Sequence, residues 1–260
     1  MHTEAEPDTA RTATPPEAAA PVEQPQPAER GAGGATLDRR LFVSLRVMTA
    51  CPDVATSADG VADTLGRSDA VRGVVYSDLR DPRGIGLLLM SEDPARIIEA
   101  GVAVDHHESW ECLEPRFDFD MLGRTYSLGY ERDLADTLLR RPLRHALNPA
   151  WPWAVWYPLR RGGAFERLPR AQQMEILKEH GTIGMAWGKD DLAHDIRLAC
   201  HGLDAHDNDF VVGLMGPELT PLSKLVQRMR GTIQTSSYLE RLGPFFVGRA
   251  VWRSDMPGGG

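Results

Sequence analysis

Apolar and polar positions along the first half of the chain predict short strands separated by helices. The segment "RLFVSLRVMT" alternates with period two, whereas "VRGVVYS" and "IGLLLMS" are apolar runs bounded by turn residues. In "SEDPARIIEAG" a serine stands at the cap position and a glycine closes the segment, which is typical of a helix. The predicted order is β-α-β-β-α-β: strand 40–49, helix 53–66, strands 71–77 and 85–91, helix 91–101 and an extended segment 115–129.

The second half of the chain repeats this order after a helical connector over 130–152. Two such units predict an α+β fold with two ferredoxin-like halves, residues 37–142 and 143–253. The halves share no visible sequence identity, so the repeat rests on the pattern alone. The predicted elements of the second half are strand 153–159, helix 169–188, strands 195–201 and 210–216, helix 217–231, a further helical piece 233–242 and strand 243–253.

The two ends of the chain differ in composition from these halves. Residues 1–36 are rich in Ala, Pro, Glu and Gly and almost free of large apolar side chains. Such a segment cannot bury enough surface to offset its chain entropy, so we predict a disordered tail. The other end, 254–260, reads "SDMPGGG" and is predicted to be flexible.

Composition and charge narrow the classes of function. The net charge of −8 and the pI of about 5.5 disfavour nucleic acid and anionic membranes as partners. No apolar run is long enough to span a membrane, and the acidic N-terminus lacks the apolar region of a secretory signal. The distant cysteines Cys51, Cys112 and Cys200 argue against a disulfide framework and favour a reducing cytoplasm.

The stretch "MEILKEHGTIGMAWG" places a histidine on the apolar face of a predicted helix. His180 shares that face with Ile176 and Leu177, and Gly181 and Gly184 allow another group to approach the backbone closely. One interpretation is a buried histidine bonded to a carbonyl group. The other is a metal ligand, because a porphyrin supplies four nitrogens and needs one axial ligand from the protein.

The strand "WPWAVWYPLRR" is apolar on both faces and ends in two arginines. Tyr157 brings a phenol into this apolar setting, and buried phenols usually find a hydrogen-bond partner. Arg160 and Arg161 carry the forked donors that suit carboxylates. The pattern fits a core strand that ends in a basic loop, and it also fits one wall of an aromatic-lined pocket to which Trp187 would contribute.

The strand "DIRLACH" has a polar face that carries Asp195 and Arg197. This face either meets water or lines a pocket above a cofactor. A metal site without porphyrin is disfavoured here, because His194 and His201 fall on opposite strand faces and His206 lies in a turn. The potential metal ligands around this strand are His194, Cys200, His201, His206 and Asp207.

Taken together, these segments resemble the chlorite dismutase-like superfamily. The motifs "WYPLRR", "ERLP", "QMEILKEHGTIG", "HGLD", "DFVVGL", "LVQRMR" and "YLERLGPFFVGR" follow the order and spacing of the family. Within the superfamily the chain looks most like the coproheme decarboxylases, which are hydrogen-peroxide-dependent heme synthases. The resemblance covers roughly residues 38–253. It implies two ferredoxin-like halves that form a dimeric α/β-barrel, assembled as a homopentamer.

The resemblance also implies a role for each matching residue. His180, in the family's "EHGxIG" helix motif, would bind heme iron axially. Tyr157, in the motif "YPL", would become a radical and attack a propionate. Arg161, four residues later, would help to hold a propionate. The remaining candidates for porphyrin binding are Arg160, Arg144, Asp195, Arg197 and Trp187.

Two departures from the family concern substrate binding rather than iron ligation. Seven residues before Gly202 the family has arginine or glutamine, whereas this chain has Asp195, with Arg197 on the same strand face. Some decarboxylases carry a propionate-binding arginine where this chain has Ala146, with Arg144 two positions earlier. Iron binding is therefore better supported than any one reaction.

These inferences predict a cytoplasmic heme-binding oxidoreductase that decarboxylates iron-coproporphyrin III with hydrogen peroxide to give heme b. Chlorite dismutation is one alternative, and Asp195 disfavours it because that reaction needs a positive charge at this position. A second alternative is a heme-binding protein with a peroxidase, sensing or carrier role. A third is a ferredoxin-like scaffold without a cofactor. Porphyrin and peroxide are the expected partners, and neither nucleic acid nor a membrane span is expected.

Overall fold

Strands and helices alternate over residues 26–66 and 68–257, which the computed structural model describes. The strands are β1 (Glu29–Arg30), β2 (Thr36–Leu37), β3 (Phe42–Thr49), β4 (Arg72–Asp78), β5 (Ile85–Ser91), β6 (Glu114–Pro115), β7 (Met121–Thr125), β8 (Trp153–Arg161), β9 (His194–Ala199), β10 (Phe210–Gly216), β11 (Leu239–Leu242) and β12 (Phe246–Arg253). The α-helices are α1 (Val54–Leu65), α2 (Pro94–Asp105), α3 (Arg141–Leu147), α4 (Gly163–Glu166), α5 (Arg170–Lys189), α6 (Leu219–Arg230) and α7 (Ile233–Tyr238). A π-helical turn, Asp136–Arg140, leads directly into α3.

Eight of these strands close into one antiparallel ring. The strands of the first half lie in the order β7-β3-β5-β4, and those of the second in the order β12-β8-β10-β9. Numbered within each half, both sheets have the order 4-1-3-2 of a ferredoxin-like unit, so the predicted α+β fold with two such halves is confirmed. The pairs β7–β9 and β4–β12 join the halves at two seams.

The inside of the ring is an apolar core shared by both halves. Strand alternation sends the Trp156 side chain into this core, where it is fully buried together with Phe246. A Cβ at Gly213 would lie 2.5 Å from the Trp156 ring, so β10 needs glycine where the indole crosses it. A Cβ at Gly86 would likewise lie 2.6 Å from the Phe246 ring. Close packing therefore holds the strands in register from the inside.

Helices α1 and α2 cover the outside of the first half. Asp53 begins α1 by accepting hydrogen bonds from the backbone N–H groups of Ala55 and Thr56, at 3.2 and 3.3 Å. Val61 and Leu65 then pack against the outer face of β4 and β5 in a continuous apolar cluster. This side of the ring is closed by direct helix-on-sheet contact.

Two elements predicted from the sequence differ from the structure. The helical piece predicted over 233–242 ends at Tyr238, because Leu239 and Arg241 pair with the end of β8 and form β11 instead. The extended segment predicted over 115–129 contains one longer strand, β7, and is interrupted by a 3-10 turn at Phe117–Phe119. Pairing with the distant strand β8 decided the first outcome, and local pattern could not reveal it.

The N-terminal tail predicted as disordered extends too far along the chain. Glu29 pairs with Leu37 and Arg30 with Thr36, so β1 and β2 form a small hairpin. The Glu29 carboxylate binds Arg124 at 2.7 Å, which fixes this hairpin against β7. The prediction of disorder is therefore wrong for 29–36, while residues 1–25 lie outside the described residues.

The prediction of a flexible end over 254–260 is wrong at residue 254. Ser254 is buried, and its backbone N–H donates to the Gly73 carbonyl at 2.9 Å. Its hydroxyl accepts from the Gly73 N–H at 2.9 Å, so the strand edge holds this residue. The last three residues of the chain lie outside the described residues. None of the helices within 26–66 and 68–257 has the length and apolar character needed to cross a membrane.

Candidate functional site

The candidate site, termed the cleft, is the region between α5 and the outer face of β8, β9 and β10. One wall is the α5 face that carries His180, Ile183 and Trp187, which recur at helical spacing. The other wall carries Tyr157 on β8. Ile183 and Trp187 pack against the same apolar cluster as Tyr157, so the two walls face each other. Helix α5 itself contacts α6, α7 and β9, while α6 covers part of β8 and β10.

His180 is held in one tautomer by a threonine hydroxyl. Its Nδ1 atom lies 3.1 Å from Thr232 Oγ1. The hydroxyl donates its only hydrogen to the Met229 carbonyl at 2.7 Å, so the oxygen accepts from His180 Nδ1–H. Consequently Nε2 carries the free lone pair, which is the arrangement a metal-binding imidazole requires.

Burial keeps the His180 imidazole neutral. Loss of water contact lowers the pKa of His180, and the positive charge of Arg161 lowers it further, while Glu179 opposes the shift. The charges of Arg197 and Asp195 also act on His180, so these groups of the sheet wall face the same space. A neutral ring with a free nitrogen is ready to bind a metal at neutral pH.

Tyr157 occupies the middle of the sheet wall. Its side chain is 7% exposed, and its ring lies 4.8 Å from that of Phe245. Burial raises the pKa of Tyr157, and the Asp195 carboxylate raises it further. The phenol therefore stays protonated at neutral pH, and its oxidation must remove a proton together with an electron.

Arg161 marks the end of β8 with a half-buried positive charge. Its guanidinium carbon lies 4.7 Å from the ring centre of Phe165 and 4.4 Å from that of Phe210. Its Nε atom is buried and has no hydrogen-bond partner among the described residues. Burial lowers the pKa of Arg161. Because an unpartnered buried donor costs free energy, this geometry favours an anionic ligand beside the Arg161 side chain.

Asp195 and Arg197 neutralise each other on β9. Arg197 Nε lies 3.0 Å from Asp195 Oδ2. Burial is the largest single influence and acts to lower the pKa of Arg197, but the Asp195 carboxylate together with Tyr126 and Tyr130 raises it above its ordinary value. The Asp195 carbonyl also accepts a hydrogen bond from His145 Nδ1 at 2.8 Å, which fixes the strand from behind. This part of the wall is polar, yet it offers no uncompensated positive charge.

Two further residues of α5 favour ligand binding: Gly181 leaves open space, and Trp187 provides a hydrogen-bond donor. A Cβ at Gly181 would meet no atom within 4 Å, so the helix surface beside His180 is open. Trp187 lies two turns further along the same face, and its buried Nε1–H has no acceptor among the described residues. The open space would accommodate a flat ligand, and the free donor would bind an acceptor group on it.

The structure separates Arg160 and Arg144 from the other predicted residues. Arg160 points away from the Tyr157 face because strand side chains alternate, and its Nη1 binds Asp207 at 2.9 Å. Arg144 is exposed on α3 and binds Asp136 at 3.1 Å. The predicted set that shares the cleft is His180, Tyr157, Arg161, Asp195, Arg197 and Trp187.

Metal ligands do not cluster elsewhere in the described part of the chain. Across 26–66 and 68–257, no three His, Cys, Asp or Glu side chains come close enough together to hold a metal ion. His194, one of the residues around β9, instead donates to Asp191 at 2.8 Å and stacks on Trp151 with ring centres 3.6 Å apart. These contacts tie the end of α5 to the start of β8.

Sequence reasoning missed Thr232, Phe245 and Tyr126. Thr232 is 52 residues from His180, so no local pattern links the two. A threonine directly before a helical stretch was nevertheless readable as a cap of α7. Tyr126 follows β7, and its ring centre lies 5.4 Å from that of Phe210, beside Arg161.

Comparisons with known proteins agree with this architecture. A heme-binding protein from Thermus thermophilus is 17% identical with a TM-score of 0.66, over 82% of this chain and 92% of that one. Chlorite dismutase from Candidatus Nitrospira defluvii, solved in complex with imidazole, is 14% identical with a TM-score of 0.64, over 83% of this chain and 93% of that one. At these identities the likeness shows the fold alone. No curated protein matches the chain in sequence.

The family model described as chlorite dismutase matches residues 63–251. This match covers more than half of the chain and includes both walls of the cleft. The chain therefore belongs to the chlorite dismutase family.

Proposed function

We propose that the chain binds an iron porphyrin in the cleft and decarboxylates the propionates of iron-coproporphyrin III with hydrogen peroxide, giving heme b. Family membership and the likeness to a heme-binding protein support the porphyrin. One observation carries the proposal. The free Nε2 of His180 on one wall faces a wall in which Tyr157 is a buried phenol.

The groups of the cleft fit such a ligand. His180 would bind the iron, and the open backbone at Gly181 would accept the flat ring. Arg161 Nε and Trp187 Nε1 are buried donors without partners in the described part of the chain, and propionate oxygens would satisfy them. Arg197 is already paired with Asp195, so Arg161 is the better candidate for holding a propionate.

A bound iron porphyrin supplies the oxidising power when peroxide reacts with it. For each propionate, one peroxide is reduced to two waters while the side chain loses CO2 and becomes a vinyl group. Tyr157 would give up its phenolic hydrogen and then take a hydrogen atom from the β-carbon of the propionate. Its raised pKa keeps that hydrogen in place until oxidation occurs. Arg161 would orient the carboxylate, and the apolar wall would exclude water.

The first experiment tests porphyrin binding. Titration of the chain with iron-coproporphyrin III should give a saturable shift of the Soret band, and His180→Ala should weaken binding by a factor of about one hundred. His106→Ala is the matched control, because His106 is an exposed histidine at the end of α2 in the other half and this variant should bind like the wild type. If His180→Ala kept the wild-type Soret band and affinity, this histidine would not be the iron ligand.

The second experiment tests the reaction. Peroxide added to the loaded protein should remove two carboxyl groups in succession, visible by mass spectrometry of the porphyrin. Tyr157→Phe should bind the porphyrin and lose at least a hundredfold in rate. Tyr76→Phe is the control, since burial also raises the pKa of Tyr76, to about 12, but this phenol lies inside the ring. Binding without any decarboxylation would leave the alternative of a heme-binding protein with a peroxidase, sensing or carrier role.

We also propose a cytoplasmic location and a homo-oligomer. Cys51, Cys112 and Cys200 are all free thiols, which supports a reducing compartment. The resemblance of the sequence to the family supports a pentamer, and native mass spectrometry of the purified chain would measure the subunit number.

A further inference from the structure

A largely buried carboxylate, that of Glu29, helps to bind the hairpin of β1 and β2 to the rest of the chain. Glu29 Oε1 accepts from Arg124 Nη1 at 2.7 Å. Glu29 Oε2 accepts from the backbone N–H of Ser127 at 3.0 Å and from its hydroxyl at 3.2 Å. The Glu29 side chain is only 14% exposed, so these charge-assisted bonds are shielded from water.

Backbone contacts extend this attachment over the turn that follows β7. The Arg30 carbonyl accepts from the Ser127 hydroxyl at 2.6 Å, and Ala32 N–H donates to the Glu131 carbonyl at 2.9 Å. A Cβ at Gly31 would lie 2.6 Å from that carbonyl oxygen, so the hairpin lies directly on the turn. Hairpin and turn therefore form one hydrogen-bonded unit.

The turn is also closed from within. The Glu131 carboxylate accepts from the backbone N–H groups of Leu128, Gly129 and Tyr130, at 2.9, 2.9 and 3.0 Å. These are donors that would otherwise point into solvent or remain unpaired. The turn 126–131 is thus held by Glu131 on one side and by Glu29 on the other.

The first residue of this turn belongs to the cleft. Thr125 pairs with Leu198, so continuation of the antiparallel register puts Tyr126 opposite Arg197. The Tyr126 ring centre lies 5.4 Å from that of Phe210, and Phe210 in turn lies beneath the Arg161 guanidinium. The contact chain from Glu29 through Ser127 and Tyr126 thus reaches the anion-binding end of the cleft.

We propose that the β1–β2 hairpin is a positioning element of the porphyrin site, acting through Glu29 on the turn 126–131 and so on the propionate-binding end of the cleft. The inference rests on the proposed function. Glu29 touches no substrate; it restricts the conformations of the turn before the ligand arrives. Without Glu29, ordering of the turn would have to be driven by porphyrin binding, which lowers affinity. The iron ligand lies on the opposite wall and is not affected.

The experiment uses the full chain and the variants Glu29→Gln and Glu29→Ala. We expect the amides of 127–130 to exchange with deuterium at least tenfold faster in both variants. We expect the affinity for iron-coproporphyrin III to fall five- to twentyfold, with a smaller fall for heme b, which has two fewer carboxylates. The Soret position, which reports His180 ligation, should not change. Glu29→Asp should exchange and bind closer to the wild type than Glu29→Ala.

Glu92→Gln is the matched control, because Glu92 forms an exposed ion pair with Arg39 at 2.8 Å outside the turn. Wild-type porphyrin affinity in Glu29→Ala would overturn the inference even if exchange increased, since the hairpin would then be only structural. Unchanged amide exchange at 127–130 would show that Glu29 does not order the turn, which would also overturn the inference. Failure of the wild type to bind any porphyrin would instead refute the proposed function. Amide exchange would still test whether Glu29 orders the turn.

Discussion

The two halves of the ring share one strand order and put their outer faces to different uses. Helix α1 has 12 residues and buries five of them, three in the apolar cluster with the sheet, whereas α5 has 20 residues and buries only Ile176. The second strand of each half shows the same contrast. In the first half β4 presents Val75 to its helices, and in the second β9 presents Asp195 and Arg197.

This difference shows where the stability of the molecule comes from. The interior of the ring is filled from both halves, so the second half does not depend on α5 for its main core. The first half adds a second closed core on its outside, around Leu65, Leu87 and Leu89. The second half has a smaller apolar cluster with α6 at that position, around Leu214, Leu222 and Leu225, and it places polar and aromatic groups beside α5.

The largest effect that can test the contrast is a loss of core packing. Leu65→Ala in α1 should lower the free energy of unfolding by about 2–5 kcal/mol, because it leaves a cavity in a closed core. Ile183→Ala in α5 should cost about 1 kcal/mol without porphyrin, because Ile183 is only partly buried. Urea unfolding of both variants measures the two values. Equal losses would mean that α5 closes its sheet as tightly as α1 does.

The second prediction concerns pH. His180 must be neutral to bind iron, and its lowered pKa keeps it neutral below the ordinary histidine value of about 6.5. Porphyrin affinity should therefore be flat above that pH and fall about tenfold per pH unit once the pH drops below the His180 pKa. Soret titrations from pH 8 to pH 4.5 would show this. A midpoint above 6.5 would contradict the burial of His180.

Stability without porphyrin should follow the same direction. The folded pKa values of His180 and His145 are lowered, the latter to about 4, both chiefly by burial. The unfolded chain then binds more protons below about pH 6.5, so the free energy of unfolding should fall as the pH drops from there towards 4. Urea unfolding at several pH values measures it, and His145→Gln should flatten part of the slope.

A smaller effect should come from the hydroxyl that orients His180. Thr232→Val removes the acceptor for Nδ1–H and the cap of α7, so we expect about tenfold weaker porphyrin binding and a loss of about 1 kcal/mol in stability. Thr232→Ser keeps the hydroxyl and is the control. Resonance Raman of the reduced complex would report the iron–histidine bond directly. An unchanged iron–histidine frequency in Thr232→Val would show that Thr232 does not set the tautomer.

The smallest effect concerns the ion pair on β9. Asp195→Asn frees the charge of Arg197, so the loaded protein should bind cyanide or fluoride a few-fold more tightly. Asp207→Asn frees Arg160 on the other face of β8 and serves as the control. If Asp195→Asn changed nothing, Arg197 would not face the ligand side of the cleft.

The strand order and the residues that form the sheet wall of the cleft could be predicted from the sequence. Alternation along β8 is enough to separate Tyr157 from Trp156, and the apolar clusters place the two side chains on opposite faces of the strand. The helical position of His180 follows from the same kind of local periodicity. These features depend on neighbours a few residues apart, which is the range over which sequence patterns are informative.

Other features depend on contacts between residues far apart in the sequence and could not be predicted from local patterns. The link between His180 and Thr232 arises only when α7 folds back onto α5. Composition predicted disorder over 1–36, yet the Glu29 carboxylate binds Arg124 on β7, which is 95 residues away in the sequence. Arg144 and Arg160 were reasonable candidates by type, but Asp136 and Asp207 hold them elsewhere.

The adjacency of Trp156 and Tyr157 has an evolutionary consequence. Neighbours on β8 project to opposite sides. Trp156 is constrained by Gly213, directly opposite it on the neighbouring strand β10, while Tyr157 packs only on the outer face. Substitutions can therefore accumulate on the outer face without disturbing the inner one. A lineage could exchange one chemistry for another in this half while inheriting the same interior, and directed evolution of the chain should begin with the outward positions of β8, β9 and β10.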